Sequence, residues 1–381
     1  MFLQDLILSV IAIISPLFLF NEAVPQHDSI LTGELYYNEL ISTLNEARFL
    51  NAARMDKPTF FRLLSYLKTT GMLKDSLSIC AGQKVMIFIH ALVGHSNRES
   101  AERWQHSGSS ISTVIHEVVE AMYECTDIFF IRPSPLDPVP AEIINNYRFY
   151  PYFEQCIGAI DGTHIPAVIP LNLQGPFRNR KGFISQNVLA AVNFDLTFSY
   201  ALVGWEGSAH DSTVLDDARL KGLPLLNNKF YLADAGYALS RNVLTPFRGV
   251  RYHLKEFGGG NLRPHNKYEL FNLRHSTKRN AVERILGVTK NRFPLLRNMR
   301  SYNISFEGQL IMCCFMLHNI VQLNHLYEDD FYADYDRAHE DEMRPLQAEE
   351  NALNYAALNN WKEQIAQDMW NDYIRAIGRH E

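Results

Sequence analysis

The sequence predicts an α/β fold in which a mixed sheet follows a helical N-terminal region. Two observations support this prediction. Between residues 38 and 132 the apolar residues recur at helical spacing, whereas from residue 151 onward they gather in short strand-like runs bounded by polar turns. The proline-rich stretch PSPLDPVP at residues 133–140 separates the two halves and favours a linker.

The helical half contains a candidate helix-turn-helix. At residues 98–122 a polar helix, a short glycine-containing turn and a second helix follow one another, with Ser107 or Ser109 as the expected N-cap of the second. The second helix carries one continuous apolar stripe, made of Ile111, Val114, Ile115, Val118, Val119 and Met122. An ordinary helical hairpin explains the pattern equally well, because Glu117 and Glu120 give this helix little attraction for DNA.

The second half has the strand order of a ribonuclease H-like core. Three strands, a helix and a fourth strand are predicted in turn at residues 155–160, 187–193, 198–203, 212–220 and 229–233. Residues 194–197 suit a hairpin between the second and third strands. In this β-β-β-α-β order an antiparallel meander is followed by a helix that crosses back to a strand parallel to the first. The sequence therefore predicts a mixed sheet of ribonuclease H type.

Three acidic residues lie in or beside apolar runs of this half. Asp161 and Asp234 follow the first and fourth strands, and Glu283 lies on a later helix-like segment. A carboxylate at the end of a buried strand is costly unless a positive charge neutralises it, and a divalent metal is the usual partner. If the two strands are parallel neighbours, Asp161 and Asp234 stand side by side, and Glu283 is free to point at them from its helix. We therefore expect two Mg²⁺ or Mn²⁺ ions, as in enzymes that displace phosphoryl groups in line.

The net charge of −6 hides an uneven distribution. Residues 151–322 carry 20 basic and 12 acidic side chains, a net charge of +8, while residues 323–381 carry 5 and 14, a net charge of −9. Basic density is highest at residues 245–300, with 13 basic against 3 acidic side chains. A local positive field of this kind suits the phosphate backbone of a nucleic acid. The five cysteines lack CxxC spacing, which argues against a zinc ribbon and favours reduced thiols.

Five ordered sequence blocks carry a family resemblance. They read AIDGTH (residues 159–164), GSAHDSTVL (207–215), FYLADAGY (230–237), NAVERILGVTKNRF (280–293) and, in a terminal apolar helix, LHN (317–319). In these blocks, and in the upstream HSGSSIS at residues 106–112, the chain resembles the PIF/Harbinger superfamily of DDE transposases and the domesticated Harbinger-derived nucleases. The resemblance covers roughly residues 46–321.

This resemblance implies a catalytic and metal-binding triad made of Asp161, Asp234 and Glu283, all of which are acidic here. It implies a nuclease, a hydrolase of DNA phosphodiester bonds, or a transposase that also transfers strands. It further implies DNA as substrate, a nuclear location and a separate Myb-like DNA-binding partner protein. A homo-oligomer is a further expectation that the sequence leaves open.

Other residues near the triad have two interpretations each. His164, His210 and Asp211 are candidates for support of the site, although His164 also suits a loop histidine and Asp211 a helix N-cap. Seven basic residues are candidates for DNA binding, or for solubilising a loop and a helix: Arg178, Arg180, Lys181, Arg279, Arg284, Lys290 and Arg292.

The predicted organisation has five parts. They are an apolar N-terminal extension (1–37), the helical region (38–132), the proline-rich linker (133–150), the DDE endonuclease domain (151–322) and an acidic C-terminal tail (323–381) expected to be a solvated extension.

The apolar run at residues 6–20 suits either a buried helix or a signal peptide or short anchor. Asp5 borders it, Pro16 interrupts it, no basic segment precedes it, and it is short for a membrane span. These features favour the buried helix, so a membrane is not expected as a partner. The alternative is a membrane-associated or secretory location through residues 1–25.

Three functions therefore fit the sequence. The first is a metal-dependent DNA endonuclease or strand transferase, which the intact triad favours. The second is a domesticated, non-catalytic scaffold that binds DNA or protein. The third is a membrane-tethered or secreted protein that uses the apolar N-terminal run.

Overall fold

The computed structural model describes residues 26–251, 263–324 and 355–377. The apolar run at residues 6–20 and the acidic clusters at residues 328–330 and 340–342 lie outside this part of the chain.

A five-stranded mixed sheet forms the centre of the molecule, in the order β3-β2-β1-β4-β5. Its strands are β1 (Cys156–Pro166), β2 (Ser185–Val192), β3 (Phe198–Glu206), β4 (Phe230–Leu232) and β5 (Val243–Leu244). Strands β1, β2 and β3 form an antiparallel meander, whereas β4 is parallel to β1, and β5 to β4. The predicted β-β-β-α-β order is confirmed, and β5 is an addition that is too short for a sequence pattern to reveal.

Eight helices precede the sheet in the described chain. They are α1 (Gly33–Ser42), α2 (Glu46–Ala53), α3 (Lys57–Thr69), α4 (Ala81–Leu92), α5 (Asn97–Trp104), α6 (Gly108–Tyr123), α7 (Thr126–Phe129) and α8 (Ala141–Ile144). Local capping explains several starts. Ser96 and Glu99 form a reciprocal capping box at α5, and the Ser107 side chain caps α6, as one of the two predicted alternatives.

Five further helices lie within or after the sheet. They are α9 (Gln174–Phe177), α10 (Asp211–Leu220), α11 (Lys267–Arg292), α12 (Ile304–Asn324) and α13 (Tyr355–Ile377). Helix α10 packs on one face of the sheet, where Val214 and Leu215 join Ile160 and Leu189 in one apolar cluster. Helices α11 and α12 pack on the other face.

The candidate helix-turn-helix, α5 and α6, is packed as a hairpin. The predicted apolar stripe of α6 is buried, and α6 lies between α4, α5 and α12. The outward positions of α6 include Thr113, Glu117 and Glu120, and Glu117 pairs with Lys84 Nζ at 2.6 Å. An acidic outer surface does not attract a DNA groove, so the geometry favours the structural hairpin.

The helical region and the sheet share a hydrophobic core. One continuous cluster of buried side chains includes Phe60 of α3, Val118 of α6, Val188 of β2 and Ile311 of α12. The proline-rich stretch at residues 133–140 has no helix or strand and crosses the surface of this core. It therefore marks a change of secondary structure and not a break in packing.

The C-terminal region differs from the expected solvated extension. Residues 355–377 form α13, which packs along α11. Trp361 stacks edge-on against Phe230 at the start of β4, with ring centroids 5.2 Å apart, and Met369 is fully buried. The sequence prediction went wrong because the acidic residues of the tail outweighed the spaced apolar side chains of this helix.

Helix α12 runs through the interior. It is long and apolar enough to cross a membrane, the one described helix of which this is true, and most of it is buried in the protein. Asn319, the last residue of the LHN block, is also fully buried. Its Oδ1 accepts a hydrogen bond from the Phe198 backbone N–H (2.7 Å), and its Nδ2 donates to the carbonyls of Phe129 and Phe198 (both 2.8 Å). This side chain fixes the start of β3 to α12.

We expect Asn319→Leu to lower the free energy of unfolding by about 3 kcal/mol, because the buried Phe198 N–H and Phe129 carbonyl lose their partner. Urea unfolding checks this. The control Gln322→Leu removes a side chain that makes only an exposed hydrogen bond to Asp195, one turn away on α12, and should change stability by less than about 0.5 kcal/mol. If both substitutions lower the free energy of unfolding equally, the buried hydrogen bonds of Asn319 contribute no more to stability than an exposed one.

Glu307 makes a second tie between α12 and the sheet. This fully buried carboxylate accepts hydrogen bonds from the Val168 backbone N–H (3.1 Å) and from Gln186 Nε2 (3.0 Å). Burial raises the pKa of Glu307 to about 7, and the two hydrogen bonds only partly offset that rise.

This shift predicts a pH-dependent contribution to stability. A folded-state pKa raised above the ordinary 4.5 means that the folded protein holds the proton more tightly, so the contribution is complete below pH 4.5 and is lost as the pH rises to 7. The loss is up to about 3 kcal/mol. Glu307→Gln should remove it, so the difference in unfolding free energy between variant and wild type should grow in favour of the variant from pH 4.5 to 7.5. A pH-independent difference would contradict the assigned shift.

Candidate active site

Asp161 and Asp234 lie beside each other on neighbouring parallel strands, although Asp161 does not follow its strand as predicted, because β1 continues to Pro166 through its pairing with β2. In the register of β1 and β4, Ala159 faces Leu232, and each aspartate follows two residues later. Neighbouring strands are about 4.8 Å apart. Asp161 is buried within β1, and Asp234 is half-buried just beyond the end of β4.

Each aspartate is oriented by its own backbone. The Gly162 N–H donates to Asp161 Oδ1 (2.9 Å), and the Gly236 N–H donates to Asp234 Oδ1 (2.8 Å). These local hydrogen bonds use one oxygen of each carboxylate and fix its direction.

Arg279 joins the strand to the helix that carries Glu283. Its Nη1 lies 3.2 Å from Asp161 Oδ2, and its Nη2 lies 2.5 Å from Glu283 Oε1. Arg279 is 8% exposed and lies one turn before Glu283 on α11, so both side chains leave the same face of the helix. The predicted carboxylates of strand and helix therefore converge on one guanidinium group.

Tyr237 lies inside the same group of charges. Its side chain is 1% exposed, and its hydroxyl has no hydrogen-bond partner among the described residues. Burial raises the pKa of Tyr237 well above its ordinary value, and the negative charges of Asp211, Asp161 and Asp234 raise it further. Tyr237 also belongs to the apolar cluster on the α10 face of the sheet.

Asp211 approaches from the opposite face of the sheet. It is the first residue of α10, where His210 is the N-cap and no side chain makes the capping hydrogen bond. Its role is therefore not that of the alternative N-cap. Asp211 Oδ1 accepts from Asn187 Nδ2 (2.9 Å), which also donates to the Ala209 carbonyl (3.1 Å). The Oδ1 of Asn187 is buried and has no partner among the described residues.

The two histidines lie at the margin of the site. His164 shares a hydrogen bond of 3.1 Å with Ser185 Oγ, which also accepts from Asn179 Nδ2 (2.9 Å). His210 is exposed, and its Nδ1 accepts a hydrogen bond of 2.9 Å from Arg180. Among the described contacts neither histidine ring bonds to a carboxylate of the triad.

The seven predicted DNA-binding residues occupy three kinds of position. Arg178, Arg180 and Lys181 are exposed on the loop between α9 and β2. Lys290 is half-buried and donates to Thr163 Oγ1 (2.6 Å) and to the His164 carbonyl (3.2 Å), and Arg284 is also half-buried.

The remaining two predicted DNA-binding residues are buried. Arg292 is 1% exposed, and Arg279 is 8% exposed and makes the ion pairs described above, so neither side chain is presented to solvent in this conformation. Periodicity alone could not reveal this, since both residues are polar and flank Glu283.

Carboxylates suit a divalent cation, because Mg²⁺ and Mn²⁺ prefer oxygen ligands. The guanidinium between Asp161 and Glu283 shows that these oxygens already converge on a positive charge. Within the described residues no three His, Cys, Asp or Glu side chains are near enough to one another to form a metal site. The expected cluster is thus chemically suited to a metal but is not assembled in this conformation.

Asn187 and Tyr237 were missed by the sequence interpretation. Tyr237 lies in the FYLADAGY block, and Asn187 stands opposite His164 in the register of β1 and β2. Tyr237 lies three positions after Asp234, and Asn187 lies near the start of a buried strand. These positions indicate a place near the site only when the order of the strands is known.

Gly162 provides the space in which Asp211 approaches β1. A Cβ atom there would lie 2.6 Å from Asp211 Oδ1 and 3.2 Å from Asn187 Oδ1. We expect Gly162→Ala to lower the free energy of unfolding by about 1 kcal/mol or more, because Asp211 must move. Differential scanning calorimetry checks this.

A double-mutant cycle tests the named clash. The cost of Gly162→Ala should shrink in an Asp211→Ala background, because the clashing carboxylate is gone. Gly175→Ala, at an exposed glycine with no atoms within 4 Å of the new Cβ, is the control and should leave stability unchanged. A cost that is the same in both backgrounds would contradict the clash.

Comparison with known proteins agrees with this architecture. Residues 160–319 match the family described as DDE superfamily endonuclease, and residues 28–124 match a domain of unknown function. Over 252 residues the chain is 30% identical to Protein ALP1-like of Arabidopsis thaliana. That match covers 60% of this chain and 57% of the relative, so it spans less than two thirds of the relative's length. No solved structure matches.

The family match begins at Ile160, next to Asp161, and ends at Asn319 of the LHN block. It thus contains the part of β1 that carries Asp161, together with the crossover helix, β4 and the helix that carries Glu283. The region that is similar to the DDE superfamily endonucleases therefore holds all three acidic residues of the predicted triad.

Proposed function

We propose that this protein is a metal-dependent DNA endonuclease or strand transferase of the DDE transposase type. Asp161, Asp234 and Glu283 are its catalytic and metal-binding carboxylates. The observation that carries the proposal is the double ion pair of Arg279, which brings a strand carboxylate and a helix carboxylate onto one cationic group.

The three carboxylates would hold two Mg²⁺ or Mn²⁺ ions. Bound ions of this kind activate water or a DNA 3′-hydroxyl and stabilise the leaving oxygen. The chain's own residues supply position. Asp161 is fixed by the rigid β1 backbone, Asp234 by the turn after β4, and Glu283 by a helix that is anchored along much of its length.

Asp211 supports the site as a fourth carboxylate. Its negative charge acts on the same buried phenol as the charges of Asp161 and Asp234. Asn187 holds it in place and presents an unpaired oxygen toward Gly162. His210 and His164 act at greater distance, His210 by orienting Arg180 and His164 by fixing Ser185 at the edge of the sheet.

DNA would bind over the exposed basic loop that contains Arg178, Arg180 and Lys181. The hydrogen bond from Arg180 to His210 connects this loop to the start of α10, and therefore to Asp211. Arg284 and Lys290 extend the positive surface along α11. Binding through phosphate contacts of this kind weakens as salt rises.

The family resemblance adds partners and location to the proposal. We propose that the protein acts in the nucleus together with a separate Myb-like DNA-binding protein, and that it assembles as a homo-oligomer. The acidic outer surface of α6 supports the need for a partner, since the candidate helix-turn-helix is poorly suited to bind DNA by itself.

The same ion pairs also favour a second function, a domesticated scaffold that binds DNA or protein without cutting. Arg279 occupies the region between Asp161 and Glu283, and the described carboxylates do not form a ready metal cluster. In this alternative the ion pairs are permanent structural contacts, and the three acidic residues are present but do not catalyse DNA cleavage.

Cleavage of supercoiled and terminal-repeat DNA by the purified full chain separates the two functions. In Mg²⁺ or Mn²⁺ we expect nicking that falls by at least about 100-fold in Asp234→Asn, which keeps the size of the side chain and removes its charge. The control is Asp216→Asn, which neutralises a solvent-exposed aspartate on α10 paired with Arg219. DNA binding without any nicking by the wild type would favour the scaffold.

A further inference from the structure

We propose that Arg279 is an internal counter-cation of the metal site, which neutralises Asp161 and Glu283 until a divalent ion displaces it. This inference rests on the proposed function of the triad. It gives Arg279 a role different from the one that its sequence position suggests, since a basic residue on the helix of Glu283 would ordinarily be assigned to the DNA backbone.

The geometry is that of a bridge between two structural elements. One guanidinium nitrogen pairs with Asp161 on β1, and the other pairs with Glu283 one helical turn away. The two partners of the shorter contact belong to the same helix, whereas the contact to Asp161 spans 118 positions of the chain. A planar, forked cation is able to satisfy two carboxylates at once.

Burial makes the contact of Arg279 with Asp161 a strong competitor for a metal, whereas the Glu283 side chain is 43% exposed. The side chains of Arg279 and Asp161 are each 9% exposed, so solvent and salt screen their interaction weakly. A cation that takes the oxygens of Asp161 and Glu283 must first separate them from the guanidinium. The apparent affinity for metal is then reduced by the fraction of molecules in which Arg279 has withdrawn.

The charges around the site show why a counter-cation is needed. Asp161 and Asp234 lie on neighbouring parallel strands, and Arg279 pairs with Asp161 at 3.2 Å. Without metal and without Arg279, the negative charges of the buried Asp161 and the half-buried Asp234 would repel each other. Arg279 therefore allows the site to fold before any metal arrives.

Displacement also predicts a link between metal and DNA. A guanidinium released beside the reacting carboxylates is suited to pair with a phosphate, which it binds through two parallel hydrogen bonds. Phosphate would stabilise the withdrawn position of Arg279, and by reciprocity DNA and metal would raise each other's affinity.

Calorimetric titration of the full chain with Mn²⁺, in the absence of DNA, tests the proposal. Arg279→Gln should bind Mn²⁺ about 10-fold more tightly than the wild type, because the competing charge is gone. The matched control Arg219→Gln removes an arginine from a surface ion pair with Asp216 on α10, changes the net charge equally and should leave Mn²⁺ affinity unchanged. Unchanged or weaker Mn²⁺ binding by Arg279→Gln would overturn the proposal.

Thermal unfolding distinguishes a counter-cation from a purely structural contact. Arg279→Gln should melt below the wild type in EDTA and recover most of the difference in saturating Mn²⁺. A loss of the same size with and without Mn²⁺ would mean that the ion pairs are only structural. If Arg279→Gln does not fold, Arg279→Lys serves instead: its single ammonium group bridges two carboxylates poorly, and we expect about 3-fold tighter Mn²⁺ binding.

Failure of the proposed function gives a different result. Mn²⁺ binding in wild type and Arg279→Gln alike would then be insensitive to Asp234→Asn. If Mn²⁺ binding depends on Asp234 but not on Arg279, the result would support the metal-binding triad and contradict the role of Arg279 as a counter-cation.

Discussion

The parallel pairing of β1 with β4 is the constraint on which the site depends. Strand β4 is only three residues long, yet all three are buried, and its register against β1 sets Asp234 beside Asp161 across 73 positions of sequence. A parallel neighbour cannot be reached by a tight turn, so the chain must cross the sheet through α10. The same crossover delivers Asp211 to the other side of β1. One pairing therefore positions three of the four carboxylates.

The two faces of the sheet contribute unequal charges to this point. Asp211 lies on the α10 face. The Asn187 amide donates a hydrogen bond to it, and Gly162 leaves space for it because glycine has no side chain. From the α11 face comes Glu283, accompanied by its own arginine. The α10 face of the sheet thus contributes a negative charge, whereas the α11 face contributes a carboxylate that is already paired with an arginine. Both faces meet at strand β1. The site is formed by side chains from α10, the sheet and α11. Its geometry therefore depends on how stably each of these three layers packs.

Much of this arrangement could be predicted from sequence, for physical reasons. Strand order followed from apolar runs and turns, and the meeting of Asp161 with Asp234 followed from strand order alone. The ion pair of Arg279 with Asp161 was not predicted, because helical spacing shows that Arg279 shares a face with Glu283 but not that this face meets a buried aspartate. Helix α13 was missed because the prediction for residues 323–381 was based on their net negative charge. The few spaced apolar side chains of this helix were given too little weight. The role of Tyr237 depends on contacts that only the folded chain creates.

Helix α13 has a consequence for the order in which the molecule matures. Its Trp361 covers the start of β4, and its Glu363 pairs with Lys267 at the beginning of the helix that carries Glu283. Residues 355–377 are synthesised after all the other described elements, so α11 lacks this support while the ribosome is still translating the preceding chain. A nascent chain paused before residue 355 would hold all three carboxylates of the proposed triad and yet lack the contact of α13 with the start of α11. The helix that carries Glu283 would then gain its contacts with α13 only late in synthesis.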